Sequence, residues 1–343
     1  MKKFMRLAIA LLMVAAAVSI AGAADETSGE GTPLQGLARV ESFVYGAPQS
    51  GGLLLRLSKV ERDLFGMELP GTLTERQEAL ENFVEQGNAN QPSFIFKVGV
   101  AEWVTLRRVN PAQSFEDRVV NLELTLEGEK QEGALSARLE RILTKLLPGG
   151  VSATQVQAPS GTVFRAKFVD TLTVRNVEKG DIVQLELDED YIVNGTLAAA
   201  RGNRVYAQVT RVRLPRSFGR PSEIGVEFTD VEYLDGRLSP VLIGPESKKA
   251  SELDKSTIGA AGASIAGAVL IGPVGLAGGF LIKGSDKQIP AGSMVYVETA
   301  EFKDVSGYQI SSAPEEGATS EQSQSPDAPQ DTPPSDALEP VTY

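Results

Sequence analysis

Residues 40–81 read VESFVYGAPQSGGLLLRLSKVERDLFGMELPGTLTERQEALE, and the stretch repeats itself every twenty positions. Val40-Glu41, Val60-Glu61 and Leu80-Glu81 fall in register, as do Tyr45-Gly46 with Phe65-Gly66, Gly51 with Gly71, Leu53 with Leu73, and Arg56 with Arg76. An α-helix turns about 100° per residue, so twenty residues leave successive units facing about 200° apart. One unbroken helix therefore cannot hold the repeat on one side. Gly46, Pro48, Gly66, Pro70 and Gly71 supply breaks, so each unit reads as a short helix followed by a turn. Thr72 and Glu75 form a capping box, and Leu73, Leu80, Phe83 and Val84 follow as the apolar side. A further Gly-x-Leu-x-x-Arg at Gly133, Leu135 and Arg138 opens a helix that ends at Pro148-Gly149-Gly150. Leu53, Arg56, Leu73 and Arg76 are the marked positions of this module, either as an oligomerisation or docking surface or as helices packing on their own domain.

Between these helices, Phe94–Ala101 and Val119–Leu126 alternate in the manner of strands, which makes residues 38–150 a mixed module of helical repeats and strands. Trp103 reads as a core aromatic. From Gly161 the chain turns β-rich, with runs at Val163–Phe168, Ile182–Leu187, Tyr191–Val193, Val205–Leu214, Ile224–Leu234 and Leu238–Ile243. Asn194-Gly195 and Asp235-Gly236 are hairpin signals. Gly202 to Tyr206 and Gly292 to Tyr296 share a Gly-polar-x-Val-Tyr pattern that starts a strand. Short strands with regular turns predict a small barrel or sandwich over 158–305. The cluster Asp188-Glu189-Asp190 reads as a solvated turn rather than a calcium site.

Inside this domain, Thr257 to Ile282 runs for twenty-six residues without a charge, between Lys255 and Lys283. Its length reaches that of a membrane span. Gly272-Pro273 interrupts the middle, which predicts a helical hairpin with small-residue packing surfaces at Gly259, Gly262, Ala263, Gly267, Gly272, Pro273, Gly275 and Gly279. The bland reading is an apolar loop or a core insertion. Strand-like Met294–Val297 has to rejoin the barrel, which favours a hairpin whose flanks return to one side.

The ends carry targeting and solvation signals. Lys2, Lys3 and Arg6 precede an apolar run from Leu7 to Ile20 and the small residues Ala21 to Ala24, so 1–23 reads as a cleavable signal peptide and 24–37 as a linker. Residues 311–343 are rich in Pro, Ser and acids and read as a disordered tail. The chain contains no Cys and no His. Thiol chemistry, imidazole relays and ordinary zinc sites are thereby excluded, and no cofactor, metal site or catalytic residue is expected. A net charge of -12 argues against nucleic acid as a partner.

With these features in order (Gly161-Thr162-Val163-Phe164, Gly202 to Val205, Asp235-Gly236, the apolar insertion and Ile289 to Val297), the C-terminal half resembles the periplasmic barrel of the TrbI-type core-channel protein of conjugation and type IV secretion machines. The resemblance implies a ring of barrels whose insertion contributes to an outer-membrane pore. The signal peptide and helical module depart from that family, so a separate envelope protein reusing the barrel is the expectation. Its expected place is the periplasm or outer membrane, as a homo-oligomer or with an envelope partner. The competing reading is a periplasmic binding or adhesion module whose β-domain engages a polymer or protein.

Overall fold

A computed structural model describes residues 32–214, 222–261, 279–284 and 288–310, with only the backbone of 254–261 and 279–284. The predicted signal peptide, the first residues of the linker and the acidic tail lie outside the described residues.

Among the described residues six helices come first: α1 (Pro33–Tyr45), α2 (Leu53–Phe65), α3 (Leu73–Glu81), α4 (Phe94–Leu106), α5 (Phe115–Glu127) and α6 (Leu135–Leu146). A π-turn at Asn82–Gln86 extends α3. The module thus opens at Pro33, inside the stretch read as linker. Thr72, Ser93 and Ser114 cap their helices by accepting from the backbone N–H three residues on. Gly46, Gly66 and Gly128 close theirs in the left-handed conformation.

The stretches 94–101 and 119–126 are therefore helices, not strands. Helix α4 buries two faces, so its apolar positions lose the one-sided helical period. Phe94, Ile95, Val98 and Ala101 face the other helices, whereas Phe96, Val100 and Trp103 face the barrel. In α5 the false alternation comes from Leu124 and Leu126, which are exposed on the helix surface.

Extending the repeat through all six helices reveals a larger one. Helices α4, α5 and α6 start 61 or 62 residues after α1, α2 and α3. In each copy the first helix packs on the third. An ion-pair ladder marks both copies. Glu41 pairs with Arg56 (2.5 Å), Glu61 with Arg76, Glu102 with Arg118 (2.7 Å) and Glu123 with Arg138 (2.6 Å), all buried. Each Glu lies near the end of one helix, and each Arg in the first turn of the next. Glu41, Glu102 and Glu123 also accept the backbone N–H of the linking loop eight residues on, at Gln49, Asn110 and Gln131. One carboxylate therefore ties together two helices and the loop between them. Arg suits the task because its planar fork can engage both carboxylate oxygens.

The β-domain contains β1 (Ala153–Ala158), β2 (Val163–Phe168), β3 (Ile182–Leu187), β4 (Tyr191–Val193), β5 (Thr196–Ala199), β6 (Arg204–Arg213), β7 (Ser222–Glu232), β8 (Leu238–Leu242), helix α7 (Pro245–Ala261), β9 (Gly279–Gly284), β10 (Met294–Thr299) and β11 (Lys303–Gln309). Strands β6, β3, β2, β10, β8 and β7 pair in that order, and β6–β7 pairing closes them into an antiparallel barrel. In β2 and β3 every second residue is buried, so Phe164, Ala166, Phe168, Leu185 and Leu187 fill the interior. The sheet β1-β11-β5-β4 flanks it. Asn194 and Gly195 both take positive φ, as a two-residue hairpin between β4 and β5 requires.

The helices and the barrel share a packed seam. Phe96, Val100, Trp103 and Val109 meet Leu197, Ala200 and Leu234. Trp103 Nε1 donates to Asp190 at 2.8 Å, and the Val109 N–H donates to the Arg201 carbonyl at 2.8 Å. Gly202 has φ 95°, and a Cβ there would stand 2.1 Å from the Val109 carbonyl oxygen, so only glycine permits this approach.

Candidate membrane and assembly surface

The barrel carries one conspicuous outgrowth. Strand β6 pairs with β3 as far as Gln208 and then continues to Arg213 with β7 alone on its inner side. On the other edge of β7, β9 pairs from Glu227↔Gly279 to Ser222↔Gly284. The result is a three-stranded projection, β6–β7–β9, that stands beyond the barrel rim. Glu223 is buried in it and holds Arg211 and Arg213 at 3.2 and 3.3 Å.

The uncharged stretch Thr257–Ile282 is tethered to this domain at both ends. Its start is the last turn of α7, which packs on β10 and β2. The Ser247 N–H donates to the Glu298 carboxylate on β10 at 2.6 Å, and the Gly244 N–H donates to Ser247 Oγ at 2.9 Å. Gly244 is required at this joint, because a Cβ would meet Glu298 Oε1 at 1.8 Å. The end of the stretch is strand, not helix: Gly279, Phe280, Leu281 and Ile282 lie in β9 opposite Glu227, Val226, Gly225 and Ile224. Gly279 is therefore a strand residue, where a helical packing surface was predicted. Gly259 lies in α7. Gly262, Ala263, Gly267, Gly272, Pro273 and Gly275 fall outside the described residues. Among the described residues, no helix is long and apolar enough to cross a membrane.

The repeat positions divide by chemistry. Arg56 and Arg76 are buried in the ion-pair ladder, so they are structural ties and not a free docking surface. Leu53 is half-buried, and Leu73 is 38% exposed, against the expectation that it helps to close the core. Leu57 and Leu80 do that work at 1% and 0% exposure. Leu34, Leu54, Leu55 and Met67 are exposed on the same three-helix copy.

The acidic cluster at 188–190 is held by structural partners. Asp188 pairs with Arg165 at 2.8 Å and lies close to Lys167 and Arg201, while Asp190 accepts from Trp103 and from the Arg201 backbone. Among the described residues no group of carboxylates could hold a metal ion. A cavity of about 50 Å³ between the Gly87–Pro92 loop and the barrel is lined by Ser93, Phe96, Gln155, Asp235 and Ser306. It has room for a few waters, far below the several hundred Å³ of an ordinary ligand pocket. Burial pushes the Asp235 carboxyl up, against the pull of N–H donors from Ser306 and Arg237. In the ladder the balance reverses. Burial raises the Glu123 carboxyl, but Arg138, the Gln131 N–H and Arg141 outweigh it and hold it below the ordinary value.

The ladder was visible in the sequence as four Glu–Arg spacings of 15 or 16 residues, of which the twenty-residue register found only the first two. The projection had no such signal, because β9 sits inside a run that reads as helix.

No protein-family model and no curated protein matches the chain. Among solved structures it overlaps ComB10 of the Com type IV secretion system of Helicobacter pylori with a TM-score of 0.23 and 11% identity. The overlap covers 43% of this chain and 88% of that one. An overlap at that score does not establish a common fold.

Proposed function

We propose that this chain is an exported, non-catalytic component of the cell envelope that assembles at a membrane, the outer membrane in the first instance, through the uncharged stretch 257–282. The observation that carries this reading is the tethering of that stretch. An apolar run of twenty-six residues is held between a helix pinned to β10 and a strand pinned to β7. A run that leaves and re-enters one rigid barrel has both flanks on the same side, as an inserted hairpin or a subunit contact requires. The seventeen residues between α7 and β9 would make about 25 Å of helix at 1.5 Å per residue, less than one ~30 Å core, so crossing calls for several copies acting together. Repetition around a ring would make it a channel or assembly component.

The non-catalytic part of the reading follows from chemistry. There is no His or Cys, and the buried carboxylates of the helical module face arginines. A hydrolase activity that vanishes on replacing one Asp or Glu would overturn it.

Membrane partition of the mature chain, with and without residues 262–278, tests the anchoring. The full chain should sediment with membranes and the shortened one should not, with both keeping the same circular dichroism. Cross-linking in membranes then reads the assembly, and a wild-type monomer would remove the channel reading.

A further inference from the structure

The geometry points to the basic part of the β6–β7–β9 projection, at Arg211, Arg213 and Leu214, as a docking surface for anionic phospholipid headgroups. This inference rests on the membrane reading above and names the lipid chemistry that the barrel itself would meet. From Arg201 to Leu214 the chain holds four arginines and no acidic residue, in a protein of net charge -12. Arg201 and Arg204 are used near the helical seam and on Glu232. Arg211 and Arg213 stand on the projection with 49% and 65% of their side chains exposed.

Glu223 is the carboxylate between them, and Lys283 of β9 lies opposite it in register. Two arginines against Glu223 leave a positive charge in excess, and Glu227, four residues back along β7 at the level of the rim, is about 13 Å away at 3.3 Å per residue. The backbone bonds between Gly180–Asp181 and Val209 mark the barrel rim, and Arg213 is four residues beyond it. That is about 13 Å at 3.3 Å per residue, longer than the ~8 Å screening length at physiological salt. The mixed charges of the rim loop (Asp170, Arg175, Glu178, Lys179 and Asp181) therefore do not cancel the excess. Next to it, Leu214 is 61% exposed, and the uncharged stretch ends on the third strand of the same sheet. Cations beside exposed apolar side chains suit a bilayer interface, which offers phosphate outside and hydrocarbon within. The chain as a whole is acidic, so an anionic bilayer favours approach by this basic part of the projection over the average surface.

Flotation of the mature full chain with two kinds of vesicle tests this: phosphatidylcholine alone, and phosphatidylcholine with phosphatidylglycerol. The wild type should bind the anionic vesicles more tightly, and added salt should erase the difference. R211Q/R213Q should lose that gain by about fivefold per arginine, with binding to neutral vesicles unchanged, while R211K/R213K should keep it. Matching thermal unfolding of the three proteins separates loss of charge from loss of fold. Equal wild-type binding to both vesicles, or a gain retained by R211Q/R213Q, overturns the inference and leaves anchoring through 257–282 standing. Binding to anionic vesicles alone supports the docking surface and sinks the anchoring; binding to neither rejects both.

Discussion

Helices α1 and α4 hold the same place in their three-helix copies, but one faces solvent where the other faces the barrel. Position for position, Gln35, Arg39 and Ser42 of α1 stand where α4 has Phe96, Val100 and Trp103. The frame beneath is common to both: a Glu near the end of the first helix, an Arg in the first turn of the second, and the same pairing from second to third. The outward faces also differ elsewhere. Leu54, Leu55 and Met67 of the first copy correspond to Glu116, Asp117 and Glu129 of the second. The ladder lies inside and is indifferent to what the surface does, so one copy could become a docking wedge while the other kept an open face.

The comparison breaks hardest at the ladder. Arg138→Ala leaves the buried Glu123 with only the partly exposed Arg141 as counter-charge, and should cost about 3 kcal/mol in urea unfolding. Arg76→Ala, the matching change in the first copy, should cost a similar amount; a difference beyond about twofold would show that the two frames are not equivalent. At the next level the copies should separate. Trp103→Ala removes a buried ring and the bond to Asp190, a loss of about 3–5 kcal/mol, and should expose the seam to limited proteolysis. The matching change in α1, Ser42→Ala, should stay within about 0.5 kcal/mol.

The third helices give a gentler contrast. Leu135 is 4% exposed and Leu73 is 38% exposed at the equivalent position. Leu135→Ala should cost about 2–5 kcal/mol, and Leu73→Ala less than about 1 kcal/mol, since partial exposure forfeits most of the burial gain. Equal losses would mean that another surface covers Leu73.

Acid should sharpen the difference further. The folded-state pKa of Glu123 lies below the ordinary 4.5, so its contribution is present above that value and is lost as the pH falls through the folded pKa. Thermal unfolding should therefore show stability dropping as the pH goes below about 4.5. Glu123→Gln should start less stable at neutral pH and lose less on acidification; an unchanged pH profile would show that this carboxylate does not drive the acid response.

Much of the barrel was legible because its strands are half-buried and its turns need particular residues. Val163–Phe168 and Ile182–Leu187 coincide with β2 and β3, and Asn194-Gly195 and Asp235-Gly236 sit at the turns they announced. The helical module was legible where one face is polar, as in α2 and α6, and illegible where tertiary contacts cover both faces, as in α4. Strand β9 was hidden for another reason. Glycine-rich apolar sequence has no period of its own, and its pairing with β7 is decided by a neighbour more than fifty residues away in the chain. The ladder was missed because a pattern of paired charges carries no hydrophobic signature at all.

The register of the outermost strands also dictates an order of events. Ala153 opens β1 opposite Tyr308 of β11, and β2 at 163–167 waits for β10 at 294–298. By contrast, every rung of the ladder joins residues 15 or 16 apart. For a chain made from its N-terminus, the six helices can fold as soon as they emerge, while the barrel stays an open sheet until its last strands arrive. The uncharged stretch emerges before β10 does, so it meets its surroundings while the barrel that will hold it is still unclosed.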